Sequence, residues 1–231
     1  MNLYFLVEGK TERKVYPQWL EHLLPVDFSR INNASQANKS NYYLISVGGY
    51  PSILDNHLRS SVDEVNEQGN YDWLILVIDA DDMTAQAKIA EVEQFIQAEN
   101  IVINSSCHLH IITQKCCMET WFLGNSRVYP RNSDNADFIN HSKFYDISQQ
   151  DPELMTKPDW FNNGSISIYH EAYLRKMLAE KNIRYSKANP NEVGEKHYLE
   201  QLQKRVEETN HLSSLRSLFN FCESISAQNL A

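Results

Sequence analysis

Apolar and polar positions alternate along this chain in two rhythms. Leu3-Tyr4-Phe5-Leu6-Val7 and Trp73-Leu74-Ile75-Leu76-Val77-Ile78 are unbroken apolar runs bounded by polar residues. That is the pattern of strands buried on both faces of a parallel sheet. Strands are thus predicted over 2–8 and 73–79, with two further ones over 42–47 and 107–113. Between them the apolar positions fall at helical spacing. A helix over 11–24 places Val15, Trp19, Leu20, Leu23 and Leu24 on one face, with Pro25 beyond its end. A second starts near Pro51, which suits a first turn, and runs to about Gln68. A third spans 84–99 with Thr84 as N-cap, and a short apolar helix spans 118–123. Strands alternating with helices predict an α/β fold, a parallel four-stranded sheet flanked by helices with right-handed crossovers.

Residues 125–165 break the rhythm, being rich in Asn, Asp and Ser. They read as an irregular, surface-exposed insertion. Three more helical stretches follow, near 168–182, 191–208 and 211–224. The expected organisation is a core over 1–124, an insertion over 125–165 and a C-terminal helical extension over 166–231 that packs on the core. A chain of 231 residues is long enough to bury a sizeable core without disulfide or metal staples.

The formal net charge of −9 argues against a broadly basic nucleic-acid binder. The imbalance lies in residues 1–164, whereas 165–231 carry 9 Lys/Arg against 8 Asp/Glu. A phosphate-facing surface is therefore expected near the C-terminal helices or on a partner. The chain enters a strand at once, with no leader pattern and no long apolar run, so a cytoplasmic location and no membrane contact are expected. The four cysteines, Cys107, Cys116, Cys117 and Cys222, form no CxxC pair and read as reduced thiols. Zinc at Cys107, His108, His110 and Cys116 is conceivable, but the segment alternates like a strand, and that is the preferred reading. His141, His170, His197 and His211 lie in polar stretches and read as surface histidines.

The candidate chemistry sits at two strand ends. Glu8-Gly9-Lys10-Thr11-Glu12 follows the first strand and Asp79-Ala80-Asp81-Asp82 the third. In an open parallel sheet, ligands gather beyond the carboxyl ends of the strands. Glu8, Asp79 and Asp81 can therefore meet there, and carboxylates so crowded repel unless a cation joins them. Oxygen-only donors suit Mg²⁺ or Mn²⁺. Asp79-x-Asp81 puts both carboxylates on one side if the backbone stays extended. Gly9-Lys10-Thr11 looks like the end of a phosphate-binding P-loop, but Tyr4 stands where that motif needs glycine, which removes the triphosphatase reading.

An acidic strand end followed by glycine, Gly48-Gly49 after the second strand and Asp79-x-Asp81 after the third together resemble the Toprim domain, over roughly residues 2–123. Cys117-Met118-Glu119-Thr120-Trp121-Phe122-Leu123 resembles the Cys-Phe-Glu-x-Trp-Leu-Leu signature of RloB-like Toprim proteins of bacterial defence islands, related to OLD-type nucleases. Met118 departs from the usual Phe. Tyr185-Ser186-Lys187 is similar to a downstream Tyr-x-Lys of that group. The resemblance implies a Mg²⁺- or Mn²⁺-dependent endonuclease cleaving DNA or RNA, a defence or toxin effector working beside an ATPase partner. A homodimer stays open. It implies Glu8 as general base, general acid or metal ligand, Asp79 and Asp81 as metal ligands, Glu119 as a further ligand, and Lys187 as the group neutralising the scissile phosphate. Two other readings remain. One is a non-catalytic Toprim module that regulates or scaffolds a partner ATPase. The other is an aspartate-nucleophile phosphatase acting through Asp79.

Overall fold

A computed structural model describes residues 1–162 and 164–229. The elements run β1 (Asn2–Val7), α1 (Lys10–Leu23), β2 (Ser29–Ile31), β3 (Asn41–Ser46), α2 (Arg59–Gln68), β4 (Trp73–Asp79), α3 (Ala85–Ala98), β5 (His108–Gln114), α4 (Met118–Phe122), α5 (Ala136–Phe144), α6 (Ile166–Ala179), α7 (Lys196–Glu208) and α8 (Ser213–Asn229). A π-helical turn, Ile53–Leu58, leads directly into α2. The strands form one sheet in the order β2-β3-β1-β4-β5, and every pairing is parallel.

The strand sides sort by parity, as a pleated backbone requires. Leu3, Phe5, Val7, Ile75, Val77 and Ile112 face a core shared with α1, α4 and the C-terminal helices. Tyr4, Leu6, Leu74, Leu76 and Ile78 face the other side, under α2 and α3. Both central strands are thus covered on both faces, which explains their unbroken apolar runs. The α1 stripe holds in most part: Val15, Trp19, Leu20 and Leu24 are buried, Leu23 is half-buried, Tyr16 joins the buried face, and Arg13 and Lys14 point to solvent. Thr84 caps α3, its hydroxyl accepting from Ala87 N at 3.1 Å.

Strand order sets the place for chemistry. After β1 the chain turns to β2 on one side of the sheet, and after β4 it turns to β5 on the other. The connections diverge between β1 and β4, which opens a crevice at their carboxyl ends. Register puts Val7 beside Val77 and Asp79 beside Gln114, so the residues just beyond β1 meet the ends of β4 and β5.

Three expectations need correction. The sheet has five strands, not four. The extra one, β2, is a three-residue edge strand, Ser-Arg-Ile, inside the Asn/Ser-rich stretch, too short and too exposed to carry an apolar signature. The stretch 125–165 is not merely a surface insertion. It contains α5 and a one-turn 3-10 segment, Pro152–Leu154, and it sends Phe138, Ile147 and Met155 into the main core. Its Glu153 is buried at the start of α8, accepting from Ser213 Oγ at 2.9 Å and Ser214 N at 3.0 Å. A carboxylate at a helix N-terminus satisfies free N–H groups and complements the helix dipole. Lastly, His141 and His170 are core residues, 6 % and 0 % exposed. No helix among the described residues is long and apolar enough to cross a membrane.

Candidate active site

A cavity of about 260 Å³ lies at the β1/β4 crevice, lined by Glu8, Glu12, Asp79, Glu119 and Lys187 together with the backbone turns at Gly9–Thr11 and Gly48-Gly49. Glu8 is the first residue after β1, and backbone amides fix its carboxylate. Oε1 accepts from Tyr50 N at 3.0 Å and Oε2 from Asp79 N at 2.9 Å. Its carbonyl accepts from Gly48 N and Gly49 N at 3.1 and 3.0 Å. Both glycines have positive φ, 92° and 104°, a conformation that side chains rarely adopt. The Gly-Gly pair thus folds the end of β3 back onto Glu8.

Asp79 closes β4 on the α1 side of the sheet, where Glu12 projects from the first turn of α1. Gln114 at the end of β5 joins the two. With its amide nitrogen turned toward them, it donates to Glu12 Oε1 at 3.0 Å and Asp79 Oδ1 at 2.6 Å. Glu119 comes from α4, is 2 % exposed, and accepts from Tyr185 Oη at 2.6 Å. Lys187 Nζ lies 3.7 Å from Glu119 Oε1 and 3.7 Å from Glu171 Oε2. The segment after α6 therefore returns over the cavity and brings Tyr185 and Lys187 to the acidic cluster.

Electrostatics mark the cluster as strained when fully ionised. Burial pushes Glu8 above the ordinary carboxylate range, and the amides of Asp79 and Tyr50 only partly offset it. Burial, reinforced by the charges of Glu119 and Glu8, raises Glu12 to about 7. Burial, with Glu12 and Glu8 adding to it, raises Asp79 well above its usual value. Burial would lower Lys187, but neighbouring negative groups, Glu119 foremost, shift it upward overall. An all-oxygen, mutually repelling donor set next to a lysine fits a hard divalent cation such as Mg²⁺ or Mn²⁺.

Of the residues singled out in the sequence, Glu8, Asp79, Glu119 and Lys187 line this one cavity. Asp81 is not among its lining residues. Its φ of +47° ends the extended run, its amide donates to Cys116 O at 3.2 Å, and its side chain stands at the exposed rim. Burial raises its pKa while Lys88 opposes the rise, and its charge is felt at both Glu8 and Asp79.

Sequence reasoning assigned no role to three residues. Glu12 carries a usable signal, since it stands four residues after Glu8 at a helix start. Gln114 has none, because an apolar strand ending in Gln is common. Lys88 has none either. It is 2 % exposed, pairs with Glu91 at 2.7 Å and lies 4.2 Å from the centre of the Tyr50 ring, on the Glu8 side of the cavity.

A second feature lies beside the cavity. Arg13, Lys14 and Arg30, with Asn189, Asn191 and the acidic Glu195, line an open groove of about 510 Å³, in which Lys14 donates to the Ala188 carbonyl. One of its walls, α1, also walls the acidic cavity. Its cations lie in the N-terminal part of the chain. Compared with family models, curated proteins and solved structures, the chain matches none of them.

Proposed function

We propose that the chain is a Mg²⁺-dependent endonuclease of the Toprim kind, cleaving phosphodiester bonds of DNA or RNA as a defence or toxin effector. The observation that carries this reading is the convergence of Glu8, Glu12, Asp79 and Glu119 on one cavity that also holds Lys187. Buried carboxylates that raise one another's pKa destabilise a protein unless a cation or a proton relieves them.

A bound Mg²⁺ supplies Lewis-acid stabilisation of charge on phosphate and leaving oxygens. The chain's own residues do the rest. Glu8, held by two backbone amides, offers its remaining lone pairs in a fixed direction. Glu12, raised by burial and by the charges of Glu119 and Glu8, holds a proton more readily than an ordinary carboxyl until a cation takes its place. Lys187 and the N-terminal turn of α1, where Lys10 and Thr11 line the cavity, favour a phosphate. Lys187 is held by Glu119 and Glu171 and so neutralises charge from one place. Asp81 at the rim adds negative charge that favours a cation.

The Arg13, Lys14 and Arg30 groove is the natural path for backbone phosphates flanking the cleaved bond. Three cations give little affinity, because binding to a nucleic-acid backbone grows with the number of phosphates neutralised. On a chain of net charge −9 the rest of the affinity falls to an ATPase partner. The non-catalytic alternative leaves a costly carboxylate cluster without a purpose, so the catalytic reading is preferred.

The test is cleavage of plasmid DNA and of structured RNA by the purified chain, with and without its partner. Nicking that needs Mg²⁺ or Mn²⁺ and stops with chelator is expected. Glu119→Ala and Lys187→Ala are expected to give graded losses of about 10- to 100-fold, smaller than loss of Asp79, since each removes one charge at the edge of the cluster. Divalent cations without effect on binding or cleavage, with or without the partner, contradict the proposal.

A further inference from the structure

A different donor set lies behind the acidic cavity. Cys116, Cys117 and His170 offer ligand atoms that all lie within 4.8 Å of one another, and the three residues are 3 %, 1 % and 0 % exposed. The chain brings them together by an unusual turn. After β5, Cys116 adopts φ +63° and Cys117 returns to an extended conformation, φ −160° and ψ 172°. A left-handed conformation is one that an L residue rarely adopts. Along an extended backbone two successive side chains point to opposite sides. The left-handed Cys116 breaks that alternation, and both thiols converge on the ring of His170 from α6.

The histidine is oriented as a ligand. Its Nε2 lies 3.0 Å from Met155 O, and a carbonyl only accepts, so Nε2 carries the proton. Nδ1 is therefore the lone-pair nitrogen, 2.7 Å from the Thr120 hydroxyl that donates to it. Thr120 Oγ1 also lies 3.6 Å from Cys117 Sγ. A backbone carbonyl on one nitrogen fixes the tautomer, as it does for a metal-binding histidine, and leaves the lone pair of the other on the Thr120 hydroxyl.

We propose that Cys116, Cys117 and His170 bind one Zn²⁺, with the Thr120 hydroxyl or a water as the remaining ligand. Thiolate and imidazole donors select Zn²⁺ over Mg²⁺, the reverse of the carboxylate cluster. Zn–S bonds of about 2.3 Å and Zn–N bonds of about 2.0 Å bring tetrahedral ligands within about 4 Å of one another, so the cluster needs only a small closure. Binding releases the two thiol protons to solvent and displaces the Thr120 hydrogen bond from Nδ1.

The site is structural and bears on the acidic cavity through the backbone. Cys116 O accepts from Asp81 N, and Cys117 stands just before α4, which carries Glu119. His170 and Met155 tie the same turn to α6 and to the stretch 125–165. A Zn²⁺ here pins the turn from which two acidic residues hang. The inference is independent of what the acidic cavity does.

The experiment uses the full chain, purified reduced, with metal content measured and Co²⁺ titrated as a spectroscopic probe. Close to one Zn²⁺ per chain is expected, together with a thiolate-to-Co²⁺ charge-transfer absorption of tetrahedral, two-sulfur intensity. Cys116→Ser and Cys117→Ser are expected to lower Zn²⁺ affinity at least about tenfold, while Glu8→Ala leaves it unchanged. If the variants fail to fold, X-ray absorption at the zinc edge of the wild type decides, with two sulfur neighbours expected. A folded, fully reduced wild type that takes up neither Zn²⁺ nor Co²⁺ overturns the proposal. So does uptake that survives intact in folded Cys116→Ser and Cys117→Ser proteins.

Discussion

Glu8→Ala is expected to lose cleavage by about 10³-fold or more while keeping its fold, since several kcal/mol of charge stabilisation leave with the carboxylate. The fold survives because Glu8 stands beyond β1 rather than in the core. Its loss leaves the amides of Tyr50 and Asp79 without an acceptor, but it also removes one of the mutually repelling charges. Asp79→Asn is expected to be comparably inactive and to melt near or above the wild type in the absence of metal. Full activity of Glu8→Ala with Mg²⁺ present contradicts a catalytic role. An Asp79→Asn protein that melts far below wild type shows instead that the cluster is a structural network.

Without metal, stability is expected to fall as pH rises from 5 to 8. Glu12 is raised from 4.5 to about 7 in the folded chain, so between those values the native state holds a proton that the unfolded chain has lost. The stability linked to that proton is fully present below pH 4.5 and is lost as pH rises through about 7. A shift of this size corresponds to about 3 kcal/mol, and Glu8 and Asp79 act in the same direction. Glu12→Gln is expected to flatten the slope and to be more stable than wild type at pH 8. Mg²⁺ is expected to restore the wild type at pH 8 and to do little at pH 5, where protons occupy the carboxylates. Urea denaturation at several pH values, with and without Mg²⁺, reads all of this. Stability that rises across the window, with no response to Mg²⁺, runs against the account.

Much of the fold was legible because burial on both faces leaves a plain trace. β1 and β4 announce themselves as apolar runs, and the polar residues that end them stand at the crevice. Thr84 was readable as a cap because its hydroxyl satisfies an otherwise free amide. β2 was not readable, since three residues at an exposed edge need no apolar signature. The stretch 125–165 misled for a related reason. Its Asn and Ser residues serve as caps and turns, as Asn135 does for α5, while its few apolar residues, Phe138, Ile147 and Met155, reach the core singly rather than as a stripe.

The site was partly legible for the same physical reasons. Glu8 and Asp79 follow from strand ends alone. The meeting of Glu119 with Lys187 depends on how a distant segment returns over the sheet, which apolar pattern alone does not give. Asp81 seemed to share the side of Asp79 because an extended backbone was assumed, and its left-handed φ instead sets it at the rim. His170 lies in a polar-looking stretch, yet α6 turns it inward, where Thr120 and the Met155 carbonyl satisfy both ring nitrogens. Local composition cannot reveal partners that lie 50 and 15 residues away.

The claim on which the account rests is that the carboxylates at the β1/β4 crevice share a divalent cation. Anomalous diffraction from Mn²⁺-soaked crystals tests it most directly. The account predicts a peak in the cavity, about 2.0–2.4 Å from carboxylate oxygens of at least two of Glu8, Glu12, Asp79 and Glu119. A cavity that stays free of Mn²⁺, with these carboxylates pointing into separate regions, would contradict it.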